Sequence, residues 1–247
     1  MKVLGFMGSP RLNGLNEKLI SSALKGAESK GAEIRRYDLI KCNIEYCRGC
    51  FKCIFENHGL PFGKCPIKDD MAGILEEYVR ADGYIYSTPV YDMGITALMK
   101  TFLERKFALF FKDKEDTVTL PGPREPANFL KKASLFVTGN ARDEYREVMG
   151  DPCFEAMGAD LMLEQVDVLD KFYVGGAHVF TEEKLAEKQE EAFNIGARLV
   201  EEIKKTREED SLKFVLFVDI PYITCIRHMK VILTIFTSLG KVTNSIG

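Results

Sequence analysis

The sequence predicts a doubly wound α/β domain in which helices cover both faces of a five-stranded parallel sheet, followed by an apolar C-terminal extension. Five short apolar segments alternate along the chain with five segments that have helical periodicity. A parallel crossover requires a helix-length connection, so this alternation favours parallel strands. The composition, with 46% hydrophobic and 29% charged residues, is typical of a globular protein. We place the domain at residues 1–208 and the extension at 209–247.

The first half of the chain contains three predicted units of strand and helix. The first strand is largely apolar and precedes a turn-rich segment, and the helix after it repeats apolar side chains at spacings of three and four until Gly31. A cysteine-rich loop at 42–66 separates the second strand from its helix. The predicted strands are 2–8, 33–39 and 83–91, and the predicted helices are 16–30, 69–81 and a segment that begins at 97.

The second half of the chain contributes two more predicted strands. Two apolar-rich segments, 133–139 and 161–169, are predicted to be strands, and a helix is predicted between them at 143–157. The last helix, at 182–208, has apolar residues at helical spacing, and its many charges are expected to form the solvated face.

The extension at 209–247 is much more apolar than the helix before it. Charged residues and a proline interrupt its apolar run, so no segment reaches the roughly 18 apolar residues that a membrane-spanning helix needs. The interrupting residues are Asp219, Pro221, Arg227, His228 and Lys230. We therefore expect the extension to pack against the domain or a second subunit, with surface contact to a membrane as the alternative.

Charge and cysteine content limit the classes of function. The formal net charge is −3, from 34 basic and 37 acidic residues, so we expect no nucleic-acid partner, because nucleic-acid binders carry a basic excess. The N-terminal apolar stretch ends at Ser9, Pro10 and Arg11, too early for a secretion signal. Seven cysteines without an export signal indicate a reducing compartment, so we expect a cytoplasmic protein whose clustered cysteines bind metal or do redox chemistry.

Three loops follow strands whose carboxyl ends meet at one edge of the predicted sheet, where doubly wound proteins bind ligands. They span 9–16, 89–94 and 138–143. The first loop opens a helix and suits a phosphate, with Ser9, Arg11 and Asn16 able to contribute further hydrogen bonds. Ordinary turn formation selects the same residue types, so the alternative is a simple turn. In the second loop, Tyr91 can cover a planar ring.

Four cysteines form a second candidate site. Cys47, Cys50 and Cys53 are separated by two residues each, and eleven residues separate Cys53 from Cys65. Four thiolates in one loop can hold an iron-sulfur cluster or a zinc ion, and they can also remain unligated. Cys42 could replace one of these four as a ligand. Cys153 and Cys225 lie elsewhere in the sequence and are expected to be ordinary buried residues.

Four segments together resemble one known family. In chain order they are GSPRLNGLNEKL, CRGCFKC, GKCPIKDDM and PVYDMGITALMKTFLER. The combination resembles the NADPH-dependent FMN reductase and iron-sulfur flavoprotein group of the flavodoxin-like superfamily, over residues 1 to 205. This resemblance implies a flavodoxin-like fold with FMN bound at the carboxyl edge of the sheet.

The resemblance also implies which residues bind FMN. Those around the phosphate are Ser9, Arg11, Asn13 and Asn16. Those beside the isoalloxazine ring are Pro89, Val90, Tyr91, Asp92, Met93 and Gly94, and those at its far rim are Thr138, Gly139 and Asn140. The chain departs from the family pattern at Leu15-Asn16, where Asn-Thr is common, and at 140–142, where the family loop is richer in glycine. Either departure can weaken or reshape flavin binding.

The activity implied by the resemblance is that of an FMN-dependent oxidoreductase. Electrons would pass from NAD(P)H, or from a one-electron donor such as a ferredoxin, through FMN to an acceptor, with a 4Fe-4S cluster on Cys47, Cys50, Cys53 and Cys65 as a relay. The flavin carries the chemistry, so no catalytic side chain is expected, and the isolated histidines, including His178, receive no role. Relatives commonly form homodimers or homotetramers. The alternative is a non-catalytic flavin- or metal-binding module that carries electrons or senses redox state.

Overall fold

The computed structural model describes residues 1–55, 59–115, 121–124 and 130–218. Its strands are β1 (Lys2–Met7), β2 (Glu33–Asp38), β3 (Gly83–Pro89), β4 (Phe110–Phe111), β5 (Gly122–Pro123), β6 (Lys132–Thr138) and β7 (Asp167–Val174). Its helices are α1 (Leu15–Ser29), α2 (Lys52–Phe55), α3 (Met71–Arg80), α4 (Ala97–Arg105), α5 (Arg146–Met149), α6 (Asp151–Leu163) and α7 (Glu182–Val218). The sheet belongs to a compact unit that spans Met1–Lys204.

Five parallel strands form the main sheet, in the order β2-β1-β3-β6-β7. In the register, Val3 lies opposite Ile34 of β2 and opposite Gly83 of β3. This order confirms the predicted doubly wound parallel sheet. It also places the topological switch point between β1 and β3, where the connections diverge and leave a crevice at the carboxyl ends of the strands. β4 and β5 form a separate antiparallel pair.

Helices bury both faces of the sheet. Residues of α3, α4 and α6 belong to one apolar cluster, and residues of α1 and α7 belong to the other. α1 and α7 approach so closely that a Cβ on Gly26 would lie 1.9 Å from the carbonyl oxygen of Phe193. A Cβ on Gly196 would lie 1.8 Å from the carbonyl oxygen of Ala23. Glycine is therefore required on both helices for this contact.

The strand predicted at 161–169 is wrong in position. α6 continues into this segment, Leu161 is fully buried in the core, and Gln165 turns the chain with a φ of 63° before β7 begins. Leu161, Met162 and Leu163 belong to the last turn of α6, whereas Val168 and Leu169 belong to the start of β7. The helix predicted at 143–157 is also divided, because a 3-10 turn and α5 precede α6 and Gly150 separates the two helices.

The last helix is longer than the predicted 182–208, because α7 runs to Val218. Residues 219–247, which form most of the predicted extension, lie outside the described residues. The domain boundary at 208 and the packing role of the extension therefore stay predictions. Among the helices that the structure describes, none combines the length and the apolar character needed to cross a bilayer.

A buried polar cluster centres on Lys106, whose side chain is fully enclosed. Its Nζ lies 2.5 Å from Oδ2 of Asp160 and 2.5 Å from Oε1 of Glu164, and it donates a hydrogen bond of 2.7 Å to the Tyr86 hydroxyl. Tyr78 donates to the second oxygen of Glu164 at 2.7 Å. Burial raises the pKa of Glu164 to about 7, with the charge of Lys106 opposing the rise and that of Asp160 adding to it.

The raised pKa of Glu164 makes stability depend on pH. Between the ordinary pKa of 4.5 and about 7, the folded state keeps a proton that the unfolded state releases, so the free energy of unfolding falls as pH rises. We expect Glu164→Gln to remove this contribution. In urea titrations from pH 5 to 7, the stability difference between variant and wild type should shift in favour of the variant by about 1 kcal/mol per pH unit. A constant difference would contradict this assignment.

Candidate functional site

A cavity of about 400 Å³ lies at the carboxyl edge of the sheet. This volume falls within the roughly 300–1,000 Å³ of small-molecule and cofactor sites. Most of its lining comes from the three predicted loops. The lining residues are Ser9, Arg11, Gly14, Leu15, Asn16, Pro89, Val90, Tyr91, Thr138, Gly139, Asn140, Ala141, Met149 and His178.

The first wall of the cavity is the connection from β1 to α1. Ser9 is buried, and its Oγ accepts a hydrogen bond of 3.1 Å from the backbone amide of Arg11. This bond tightens the turn and leaves the Arg11 side chain exposed beside the cavity. Gly14 is the N-cap of α1, and the first amides of a helix have no acceptor within the helix. These amides and the positive end of the helix dipole suit an anion.

The side chain of Asn16 links this wall to the ends of two strands. It is buried, and its Nδ2 donates a hydrogen bond of 2.6 Å to Oγ1 of Thr138, while its Oδ1 accepts one of 2.7 Å from Oγ of Ser87. The side chain thus joins the start of α1 to the ends of β3 and β6. The Asn16 side chain therefore links the predicted loops. Its backbone amide lies in the first turn of α1, where amides can bind an anion.

The second wall is the connection after β3. Tyr91 and Gly94 exchange two backbone hydrogen bonds, of 2.9 Å and 3.0 Å, around a tight turn. Both residues between them have left-handed backbone, with φ of 47° at Asp92 and 63° at Met93. Such values are uncommon for residues other than glycine and cluster at functional sites. Nearby, Thr96 caps α4 by accepting a hydrogen bond from the Met99 amide.

The third wall is the segment after β6. The Val90 amide donates to the Thr138 carbonyl oxygen at 2.8 Å, which joins this wall to the second. A Cβ on Gly139 would lie 2.6 Å from the hydroxyl oxygen of Tyr173, which itself donates to the Ala141 carbonyl oxygen at 3.1 Å. Glycine at this position therefore allows Tyr173 to support the loop from behind.

The structure brings nine of the predicted flavin residues together at the cavity: Ser9, Arg11, Asn16, Pro89, Val90, Tyr91, Thr138, Gly139 and Asn140. The remaining four, Asn13, Asp92, Met93 and Gly94, lie in the same loops but are not part of its lining. Sequence reasoning missed His178, which follows β7 and lines the cavity. An isolated histidine gives no sequence signal of a site, and only the position of β7 shows that His178 lies at the carboxyl edge.

The cysteine-rich loop contributes none of the residues that line the cavity. Cys47 and Cys50 are exposed, whereas Cys53 and Cys65 are partly buried. Burial raises the pKa of Cys53 to about 11, and the charges of Cys65, Cys47 and Cys50 add to the rise. A Cβ on Gly63 would lie 1.8 Å from the carbonyl oxygen of Cys53, so the two distant segments of the loop touch backbone to backbone. This contact holds the segment of Cys65 close to that of Cys53.

The thiols do not form a single-ion site in the structure. In the described part of the chain, no group of three or more Cys, His, Asp or Glu side chains is arranged to hold a metal ion. A zinc ion bound at about 2.3 Å by each sulfur requires closely converging ligands. A 4Fe-4S cluster places several atoms between its four cysteine ligands and requires a wider arrangement. Four thiols in one loop are a donor set that either a 4Fe-4S cluster or a zinc ion uses.

The remaining cysteines follow the predictions in part. Cys153 is fully buried in the core, as expected for a packing residue. Cys42 is partly buried, and its thiol lies 3.5 Å from the carbonyl oxygen of Asp38. Cys225 lies outside the described residues, as does His58.

Comparison with known proteins identifies the family. Residues 1–145, more than half of the chain, match the family described as NADPH-dependent FMN reductase. The chain belongs to this family. An iron-sulfur flavoprotein of Methanocaldococcus jannaschii is 38% identical over 113 residues, which cover 46% of this chain and 54% of the relative. One from Archaeoglobus fulgidus is 36% identical over 105 residues, which cover 42% and 45%.

The chain spans about half the length of the curated iron-sulfur flavoproteins it matches. Solved structures extend the comparison to the whole fold. The NAD(P)H:quinone oxidoreductase from Methanothermobacter marburgensis superposes with a TM-score of 0.62 at 17% identity, covering 81% of this chain and 98% of that one. At this identity the likeness shows a shared flavodoxin-like fold.

Proposed function

We propose that this protein is an FMN-dependent oxidoreductase that takes electrons from NAD(P)H or a one-electron donor and passes them to an acceptor. The observation that carries the proposal is the cavity at the β1/β3 switch point, where a helix N-terminus, Arg11 and strand-end backbone meet. These groups fit a cofactor that joins a phosphate to a planar ring. Membership in the NADPH-dependent FMN reductase family supports the same cofactor.

Each wall of the cavity would serve a different part of FMN. The amides at the start of α1, with the Arg11 side chain, would bind the phosphate. The backbone of Pro89 and Val90 and the ring of Tyr91 would orient the isoalloxazine, and the Asn140 side chain would bond its rim. FMN, when bound, supplies the exchange of electron pairs and single electrons. The role of the chain is to bind and orient, and no side chain needs to act as an acid or base.

We further propose that Cys47, Cys50, Cys53 and Cys65 hold a 4Fe-4S cluster. The first three thiols are close in sequence, the contact of Gly63 with the Cys53 carbonyl oxygen holds the segment of Cys65 near them, and cysteine thiolates are the usual ligands of such clusters. The names of the curated relatives, which are iron-sulfur flavoproteins, support the assignment. A one-electron centre beside a flavin would suit a protein that exchanges electrons with a redox partner such as a ferredoxin.

The proposed activity is tested by adding FMN to the purified chain and then offering NADPH or NADH with a dye acceptor. We expect tight FMN binding, seen as quenching of flavin fluorescence, and dye reduction that depends on the nicotinamide. FMN that binds but is reduced only by a one-electron donor would favour the electron-carrier alternative. A chain that neither binds FMN nor reduces the dye would contradict the proposal.

Replacement of Tyr91 by alanine is expected to weaken FMN binding about tenfold, which corresponds to about 1.4 kcal/mol for the lost ring contact. Tyr91 lines the cavity but is only half-buried, so the fold should remain intact. Tyr145→Ala is the matched control, because Tyr145 has similar exposure and is not part of the lining. FMN titration monitored by fluorescence measures both variants. Equal affinities would remove Tyr91 from the site.

We also propose that the protein forms a homodimer or homotetramer. Exposed apolar side chains occur at or next to the cavity: Tyr91 lines it, and Val148 and Val179 each adjoin a lining residue in sequence. Apolar groups rimming a cofactor site are typical of surfaces covered by a partner. Light scattering of the FMN-loaded protein at several concentrations tests this proposal, and a monomer throughout would contradict it.

A further inference from the structure

The ion pair between Arg105 and Asp69 is buried beside the cysteine-rich loop. The side chain of Arg105 at the end of α4 is 2% exposed, and that of Asp69 is fully enclosed. The guanidinium binds the carboxylate through two hydrogen bonds, of 2.5 Å and 3.0 Å. Burial acts to raise the pKa of Asp69, but the bonds from Arg105 and from the Glu45 and Met71 amides outweigh it, and the pKa lies below its ordinary value. Both groups are therefore charged.

The same guanidinium contacts both ends of the loop. Its Nη1 donates a hydrogen bond of 2.7 Å to the carbonyl oxygen of Glu45, and its Nη2 lies 3.7 Å from Sγ of Cys65, within range of an N–H···S bond. Asp69 adds a further tie by accepting a bond of 2.9 Å from the Glu45 amide. Glu45 lies two residues before Cys47, so the pair joins the segment before the first cysteine to the segment after the last.

Cys65 depends on tertiary contacts to approach the other three cysteines. The first three cysteines are close because of their spacing in sequence, whereas eleven residues separate Cys65 from Cys53. A flexible segment of this length would hold its ends together only at an entropic cost. The bond from Arg105 places the Cys65 sulfur, and the contact between Gly63 and the Cys53 carbonyl oxygen brings the same segment to the other thiols.

We propose that Arg105 is a positioning residue for the redox centre, holding Cys65 as its fourth ligand and donating a hydrogen bond to that sulfur. The inference rests on the proposed cluster. A hydrogen bond to a ligand sulfur stabilises the more negative, reduced form of a cluster and so raises its reduction potential. Lysine keeps the charge but lacks the planar fork that reaches Asp69, Glu45 and Cys65 together.

The test compares wild type with Arg105→Lys and Arg105→Gln after anaerobic reconstitution with iron, sulfide and FMN. Arg48→Gln is the matched control, because it also removes one positive charge near the cysteines, and its side chain is exposed. The measurements are iron and FMN per chain, the chelator concentration that removes half of the iron, and the midpoint potential of the iron-loaded fraction by electron paramagnetic resonance. Retained FMN shows that a variant is folded.

We expect both Arg105 variants to retain FMN, to lose iron at about tenfold lower chelator concentration, and to have a lower midpoint potential than wild type. The Arg48 control should match wild type in iron retention. Wild-type retention and potential in both Arg105 variants would overturn the inference while leaving the cluster in place. A wild-type protein that binds FMN but takes up no iron would instead overturn the cluster, and the role of Arg105 with it.

Discussion

Lys106→Met is expected to reduce the free energy of unfolding at pH 8 by about 3–5 kcal/mol, the usual effect of removing one partner from a buried ion pair. The ammonium of Lys106 is fully buried and touches the carboxylates of Asp160 and Glu164 and the hydroxyl of Tyr86. Without it, Glu164 would have to take up a proton or remain as an uncompensated buried charge. The change should be measured by urea unfolding.

Two companion variants make this expectation specific. Lys100→Met changes a lysine on α4 whose side chain is 61% exposed, and its effect should stay within about 0.5 kcal/mol. In Lys106→Met combined with Glu164→Gln, the loss should be smaller than the sum of the two single losses, because the unpaired carboxylate is gone. A loss below about 1 kcal/mol for Lys106→Met would show that the cluster is not the charged pair described here.

Cys50→Ser is expected to abolish the iron-sulfur cluster and to leave FMN binding unchanged. Cys50 is exposed, so its replacement should cost little stability, but an alcohol is a poor ligand for iron that prefers thiolate. Iron and sulfide per chain should fall to background, and the broad visible absorbance of the cluster should disappear while the flavin bands remain. Iron analysis and absorbance of the same preparation measure both effects.

Cys42→Ser is the control for this expectation, and it also tests the substitute ligand. Cys42 is partly buried, its thiol contacts the Asp38 carbonyl oxygen, and it is not one of the four proposed ligands. We expect its variant to retain iron. If Cys50→Ser kept its iron and Cys42→Ser lost it, the ligand set would have to include Cys42 in place of Cys50.

The fold was largely predictable because periodicity and composition act locally. The strands at 2–8, 33–39, 83–91 and 133–139 agree with β1, β2, β3 and β6 to within two residues at each end. The fifth strand was misplaced because Leu161, Met162 and Leu163 form an apolar run that could begin a strand, whereas the structure places them in the last turn of α6. His178 is isolated in sequence, so only the position of β7 shows that it lines the cavity.

The partners of side chains that act through tertiary contacts could not be predicted from the sequence. The adjacent Arg105 and Lys106 resemble ordinary surface charges, yet each is buried with its own acidic partner. Their partners Asp69 and Glu164 lie 36 and 58 residues away, respectively. Helical spacing relates only residues three or four positions apart, so it does not indicate these pairs. The role of Asn16 beside the phosphate stays a prediction, and only the positions of Ser87 and Thr138 show that its side chain also links the loops.

The most direct test of the central claim is the flavin content of the protein purified without air and then incubated with FMN. After removal of free cofactor, we expect the two visible absorption bands of a flavin and about one FMN per chain, bound in the cavity at the carboxyl edge of the sheet. Release of FMN by denaturation should confirm that it was bound non-covalently. A colourless protein that retains no FMN would contradict the assignment of the cavity and the function built on it.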